Sequence, residues 1–300
     1  CGTGRNESVS ACGTFWGLYP FYFHAMQHVA PTEIVIHRVL WTFALLAVYL
    51  FCSRRWRWIQ KAITDRRTVA VFLMSSVLIT ANWSTYTYAI VTNQTLEASL
   101  GYFMNPLVSV LLGTVFLKEK LNKAQMLAIV FACAGVMWVT FKQGEFPALG
   151  LTLALSFGFY GLVRKMAPLG SLEGLTLETA FAFPVALLAT FYFAGNGDLT
   201  FVHGTSWDKF WLIMAGPITT IPLILFAYGL KQVPYSTVGF IQYLSPTMVF
   251  FIGLFFFGEE LQVDRLIGFI LIWTGVLIFV GENFFRSHSG YRTEFNQLSK

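Results

Sequence analysis

Charge is scarce in this chain: 12% of its 300 residues are Asp, Glu, Lys or Arg, against 56% hydrophobic and 17% aromatic. A water-soluble domain of this composition could not hide its apolar side chains, so lipid is the solvent for most of it. Cysteine is scarce too. Cys1, Cys12, Cys52 and Cys133 form no C-x-x-C pair, which gives no support to a disulfide frame or a zinc site. There is no H-E-x-x-H, no paired intramembrane Asp, no nucleophile motif beside a His and no G-x-x-x-x-G-K-[ST]. Their absence argues against an enzyme, a cofactor and an ATP-driven pump, and leaves ion gradients as the energy source. Rings of charge suited to an ion channel are missing as well. The net charge of +5 lies in short gaps between apolar runs. That placement orients a membrane protein and does not suit nucleic-acid binding.

What the chain has in quantity is long apolar runs. Crossing ~30 Å of hydrocarbon takes about twenty residues of helix, and ten segments qualify: 9–26, 32–52, 69–91, 96–117, 124–141, 147–163, 175–194, 209–230, 234–257 and 264–284. All should be helices, because a backbone in lipid must satisfy its own hydrogen bonds. Placing Arg5, Arg54, Arg55, Arg57, Lys61, Arg66, Arg67, Lys118, Lys120, Lys123, Arg164, Lys165, Lys231, Arg286, Arg292 and Lys300 inside leaves, apart from the intramembrane Arg38, only Lys142, Lys209 and Arg265 outside. The positive-inside rule therefore predicts a multi-pass protein of the inner or plasma membrane with both termini cytoplasmic.

The chain also repeats itself. Tyr88, Asn105-Pro106, Gly113, Glu119, Leu121 and Gly135-Val136 return 140 residues later as Tyr228, Ser245-Pro246, Gly253, Glu259, Leu261 and Gly275-Val276. Five spans per copy forces the second copy to insert upside down, and Lys118-Glu119-Lys120 becoming Gly258-Glu259-Glu260 fits that reversal. The expected organisation is a tail over 1–8, a first five-helix repeat over 9–141, an inverted second repeat over 147–284 and a cytoplasmic tail over 285–300.

Paired interrupted spans at matching places in two halves point to a transporter's central site. Pro106 should free the carbonyl of Tyr102, and Pro246 that of Gln242. Tyr102 and Asn105 then share one helical face, Gln242 and Ser245 another. Simple Pro kinks are the plainer alternative. Arg38 is a cation well inside its span, which marks a functional site unless its stem snorkels to the interface. Glu178 is its partner by repeat position but lies towards the opposite end of its span. Glu97 suits Arg38 better and can titrate, making it the candidate for proton coupling. Asn82 and Trp83 add an amide and an aromatic wall. His24 with His28 and Glu33 with His37 stand at i, i+4, but at the end of a hairpin this spacing favours solvated or capping roles, and no metal is expected. Asn122 with Gln125, and Asp264, look like helix starts.

His37-Arg38-Val39-Leu40-Trp41, the run Leu96-Glu97-Ala98-Ser99-Leu100-Gly101-Tyr102-Phe103-Met104-Asn105-Pro106-Leu107, and Phe157-Gly158-Phe159-Tyr160-Gly161-Leu162-Val163-Arg164-Lys165 resemble the RarD-type permeases, in the EamA branch of the drug/metabolite transporter superfamily. The resemblance implies ten helices in two inverted five-helix repeats, a central cavity and export of small molecules, with chloramphenicol sensitivity as the namesake association. Asn105 and Tyr102 fall within the resembling motif, whereas Gln242 and Ser245 come from the internal repeat. The expected function is a secondary transporter exporting a small organic metabolite or drug-like solute by alternating access. Import of a small metabolite is the alternative, since sequence orients a protein but not its flux.

Overall fold

The structure is a computed structural model that describes residues 3–54, 56–91, 95–143, 147–258 and 263–298. Among these every regular element is a helix. In chain order they are α1 (Thr3–Gly17), α2 (Tyr19–Ala25), α3 (Pro31–Ser53), α4 (Arg57–Thr64), α5 (Arg66–Val91), α6 (Thr95–Phe116), α7 (Lys123–Gln143), α8 (Ala148–Met166), α9 (Ser171–Asn196), α10 (Thr200–His203), α11 (Ser206–Leu230), α12 (Tyr235–Gln242), α13 (Leu244–Phe256) and α14 (Val263–Leu298). Among the described residues six stretches are long and apolar enough to cross a membrane unaided, and shorter apolar helices lie at Leu100–Phe116 and Leu266–Glu282.

Helices occupy all ten predicted segments, with two of them broken. The first divides at Leu18, just ahead of Pro20, whose missing N–H is tolerated in the opening turn of α2. The ninth divides at Tyr243, one turn ahead of Pro246 and beside the Gln242 carbonyl expected to lose its partner. Pro106, by contrast, lies inside an unbroken α6. The two mid-span prolines are therefore not equivalent in effect. α1 begins at Thr3, within the segment read as a tail, and α14 continues past 284. The basic loop Arg54–Arg67 also contains a helix, α4, whose Ala62 and Trp58 pack with Phe72, Leu177 and Phe181.

The 140-residue offset reappears in the packing. A Cβ on Gly135 of α7 would come within 2.6 Å of the Gly268 carbonyl of α14, and one on Gly275 of α14 within 2.5 Å of the Ala128 carbonyl of α7. Only glycine permits such backbone approach. Gly275 is the repeat partner of Gly135, and Gly268 of Ala128, so each contact maps onto the other when the halves exchange. The residue order in these contacts makes α7 and α14 antiparallel.

One end of the bundle is closed by charged and polar links. Lys165, near the end of α8, donates to the Leu230 and Val233 carbonyls at 2.8 and 2.7 Å, and Lys231, just past α11, donates back to Ala167 at 3.0 Å and to Leu169. Glu119 accepts from the Tyr235 and Ser236 amides at 2.6 and 2.8 Å, satisfying the exposed N–H groups that open α12. This is the Lys/Arg-rich end of the molecule.

Candidate functional site

A cavity of about 320 Å³ lies in the other half of the bundle. It is walled by the α1–α2 break, α3, the later part of α5, the first part of α6, α8, α11 and the α12–α13 break. All seven residues singled out from the sequence as substrate contacts line it: Arg38, Asn82, Trp83, Tyr102, Asn105, Gln242 and Ser245. They come from both halves of the chain. A second cavity of about 150 Å³ shares Phe23, Arg38 and Tyr86 with the first and reaches Met26, Gln27, Val29 and Pro31 in and beside the α2–α3 connection.

Asn82 and Gln242 serve the frame as well. The Asn82 amide donates to the Leu153 carbonyl at 2.9 Å and to Ser156 Oγ at 3.0 Å, tying α5 to α8. Gln242 Oε1 accepts from Ser109 Oγ at 3.2 Å, which leaves its Nε2 buried without a hydrogen-bond partner. Asn105 Oδ1 is likewise buried and unpartnered. Buried amide atoms normally find partners, so two orphans on residues that line one cavity mark this wall as polar and incompletely satisfied. Tyr102 is open to the cavity, with its ring centroid 6.0 Å from that of Tyr86.

Arg38 does not snorkel. Its side chain turns inward and is buried, Nε donates to Thr219 Oγ1 at 2.9 Å, and the guanidinium carbon stands 4.3 Å from the Trp83 ring centroid. The side chain of Glu97, expected as its partner and as the coupling group, lies outside the described residues. Glu178 pairs elsewhere, with Arg164 at 3.3 Å, and both are 1% exposed. Ser75 Oγ donates to Glu178 Oε1 at 2.5 Å and Tyr160 OH to Oε2 at 3.3 Å. Arg164 was read from the sequence as a topology-setting charge. It is also a fully buried member of this α5–α8–α9 cluster.

The other polar residues singled out from the sequence make local or helix-end contacts. Glu33 accepts from the Thr200 and Phe201 amides at 3.0 and 2.8 Å, and His37 Nδ1 accepts from Trp41 Nε1 at 2.9 Å. His28 lies 2.8 Å from Asp208, and His24 packs on Phe257. Asn122 and Gln125 cap each other's backbone amides, and Asp264 pairs with Lys142 at 3.2 Å.

Sequence reasoning missed Trp16, Tyr19, Phe23, Tyr86 and Phe157, which give the cavity its aromatic walls. Two signals were available: Pro20 breaks the first span among aromatics, and Tyr86 stands one turn beyond Asn82.

Comparison with known proteins places these features in a family. The model of the EamA-like transporter family matches residues 9–141 and again 147–281. An uncharacterized transporter, YojE, of Bacillus subtilis is 40% identical over 88% of this chain and 89% of its own. Protein RarD of Escherichia coli is 37% identical over 88% of this chain and 90% of its own. A solved crystal structure with 14% identity superposes at a TM-score of 0.66 over 92% of this chain and 97% of that one, a likeness of fold alone.

Proposed function

We propose, from the premise that this chain belongs to the EamA-like transporter family and is a multi-pass membrane transporter of the RarD type, that it is a secondary transporter moving a small organic solute through the cavity by alternating access. The observation that carries this reading is a cavity on which residues of both halves converge. A pathway assembled from two repeats opens at either end when one half rocks against the other. The closed Lys165, Lys231 and Glu119 end and the cavity at the opposite end fit one of the two states required.

Ten crossings in two inverted repeats are part of the proposal. Support comes from the reciprocal α7–α14 contacts: two antiparallel helices exchanged by a two-fold have its axis perpendicular to them, hence in the membrane plane. The organisation is then 9–141 and 147–284, with both termini cytoplasmic by the Lys/Arg distribution. The cavity faces outward in this orientation. Flux is outward in the reading favoured by the family resemblance, and import is the alternative.

Substrate contacts are Tyr102, Asn105, Gln242, Ser245, Arg38, Asn82 and Trp83, and Glu97 is the proton-coupling candidate. In proteoliposomes, Asn105→Ala and Gln242→Ala should raise the KM of transport while the protein still folds, with the melting temperature nearly unchanged for Asn105→Ala and modestly lowered for Gln242→Ala, which loses the Ser109 bond. Glu97→Gln should remove the dependence on a pH gradient. Unaltered transport in both cavity variants would move the site elsewhere, and unaltered gradient dependence would leave Glu97 without a coupling role.

A further inference from the structure

We infer that the cavity is a receptor for a small organic anion, one carboxylate-sized negative group on a flat apolar body, with Arg38 as its counter-ion. The inference rests on the reading of this cavity as the substrate site and names the substrate class.

Charge accounting carries it. None of the described residues lining the cavity is acidic, and Arg38 is its one side chain with a permanent charge. The described carboxylates of the helices around it are engaged or placed elsewhere: Glu33 with the Thr200 and Phe201 amides, Asp208 with Thr205 and His28, Glu178 with Arg164, Glu119 with the Tyr235 and Ser236 amides, and Glu7 exposed on α1 more than two turns from Trp16. Arg38 is 8% exposed; its Nε donates to Thr219 Oγ1, the neutral Tyr19 hydroxyl is its other polar neighbour among the described residues, and neither supplies a negative charge. The Trp83 ring, 4.3 Å from the guanidinium carbon, attracts the cation but takes no hydrogen bond in its plane, and a guanidinium has five N–H donors to place. A buried cation so placed gains most from an anion, because a bidentate carboxylate supplies charge and geometry together.

The other groups fit the same ligand. Gln242 Nε2 is an unused buried donor for the anion, and Asn105 Oδ1 an unused buried acceptor for a hydroxyl or N–H on the body. Trp16, Trp83 and Phe157 suit a flat ring. At about 320 Å³ the space lies at the small end of ligand pockets, ~300–1,000 Å³, which favours a small molecule over a peptide or lipid. A cation would enter against Arg38. A neutral analogue would forgo a charge-assisted bond, a loss of roughly tenfold or more in affinity.

Three probes sharing one ring separate the cases: phenylacetate, phenylacetamide and 2-phenylethylamine, titrated by calorimetry at pH 7 into the purified full-length protein in detergent. The expected order is the acid tightest by at least about tenfold, the amide weaker and the amine weakest. Arg38→Gln should erase the acid's advantage while leaving amide affinity in place. If that variant does not fold, the wild-type order still decides. Equal binding of acid and amide in the wild type overturns the anion assignment. If both are then weakened by Asn105→Ala, the cavity remains the substrate site. Binding of none of the three probes also overturns the assignment, while the cavity reading stands or falls on the transport of Asn105→Ala and Gln242→Ala. An acid preference missing from the wild type and emerging only in Glu97→Gln would mean that Glu97 neutralises Arg38 in the native protein, and would overturn the assignment.

Discussion

At the scale of single residues, a few buried polar groups carry large consequences because lipid and protein offer no water to replace a lost partner. Arg164 and Glu178 illustrate this, each 1% exposed and 3.3 Å apart. Glu178→Leu alone should destabilise the protein by ~3–5 kcal/mol by stranding the guanidinium, whereas the double variant Arg164→Met, Glu178→Leu should recover most of the loss. Melting temperatures of the purified variants check this. Equal loss in single and double variants would mean that packing matters more than the charge pair. Such a pair was only half legible in the sequence. Arg164 beside Lys165 reads as an interfacial charge, and nothing local to either residue reveals that α9 brings a carboxylate to it.

Elements show where local chemistry sets structure and where neighbours override it. Pro20 and Pro246 stand at real helix breaks, as a missing N–H and a crowded carbonyl dictate. Pro106 has the same chemistry, yet α6 runs through it while packing along α8 and α12. Pro246→Ala should therefore permit a continuous ninth helix. The expected result is slower transport with unchanged or higher melting temperature, read in proteoliposomes and by thermal denaturation. The α7–α14 contact makes a second prediction. Gly135→Val and Gly275→Val place side chains against carbonyls that a single Cβ already meets within 2.6 Å, so each should destabilise the protein by ~1–3 kcal/mol. If the halves are related as proposed, the two losses should be similar. A large effect at one site with none at the other would argue against a two-fold relation.

For the whole molecule, the prediction is topology. Single cysteines at Asp65 and Asp198, in a background with the native cysteines replaced, should be labelled by an impermeant thiol reagent in intact cells only at Asp198. Asp198 is chosen over its neighbour because Gly197 has φ 76°, where a side chain is strained. Labelling at Asp65 would reverse the orientation and turn the cavity towards the cytoplasm.

Sequence alone determined that this chain lives in lipid, that its elements are helices and which family it resembles, because composition, apolar run length and short motifs are local properties. It also named seven residues that meet at one cavity. That was possible because a duplication writes long-range correspondence into the sequence, so Gln242 and Ser245 could be found from Tyr102 and Asn105. Only the tertiary structure decided how the partners are assigned: Arg38 with Thr219 and Trp83, Glu178 with Arg164, Glu119 with the start of α12. It also supplied the aromatic walls. Partner choice depends on which helices lie side by side and at what depth, and a few ångströms of helix position decide whether a buried charge meets a carboxylate, an indole face or an open cavity.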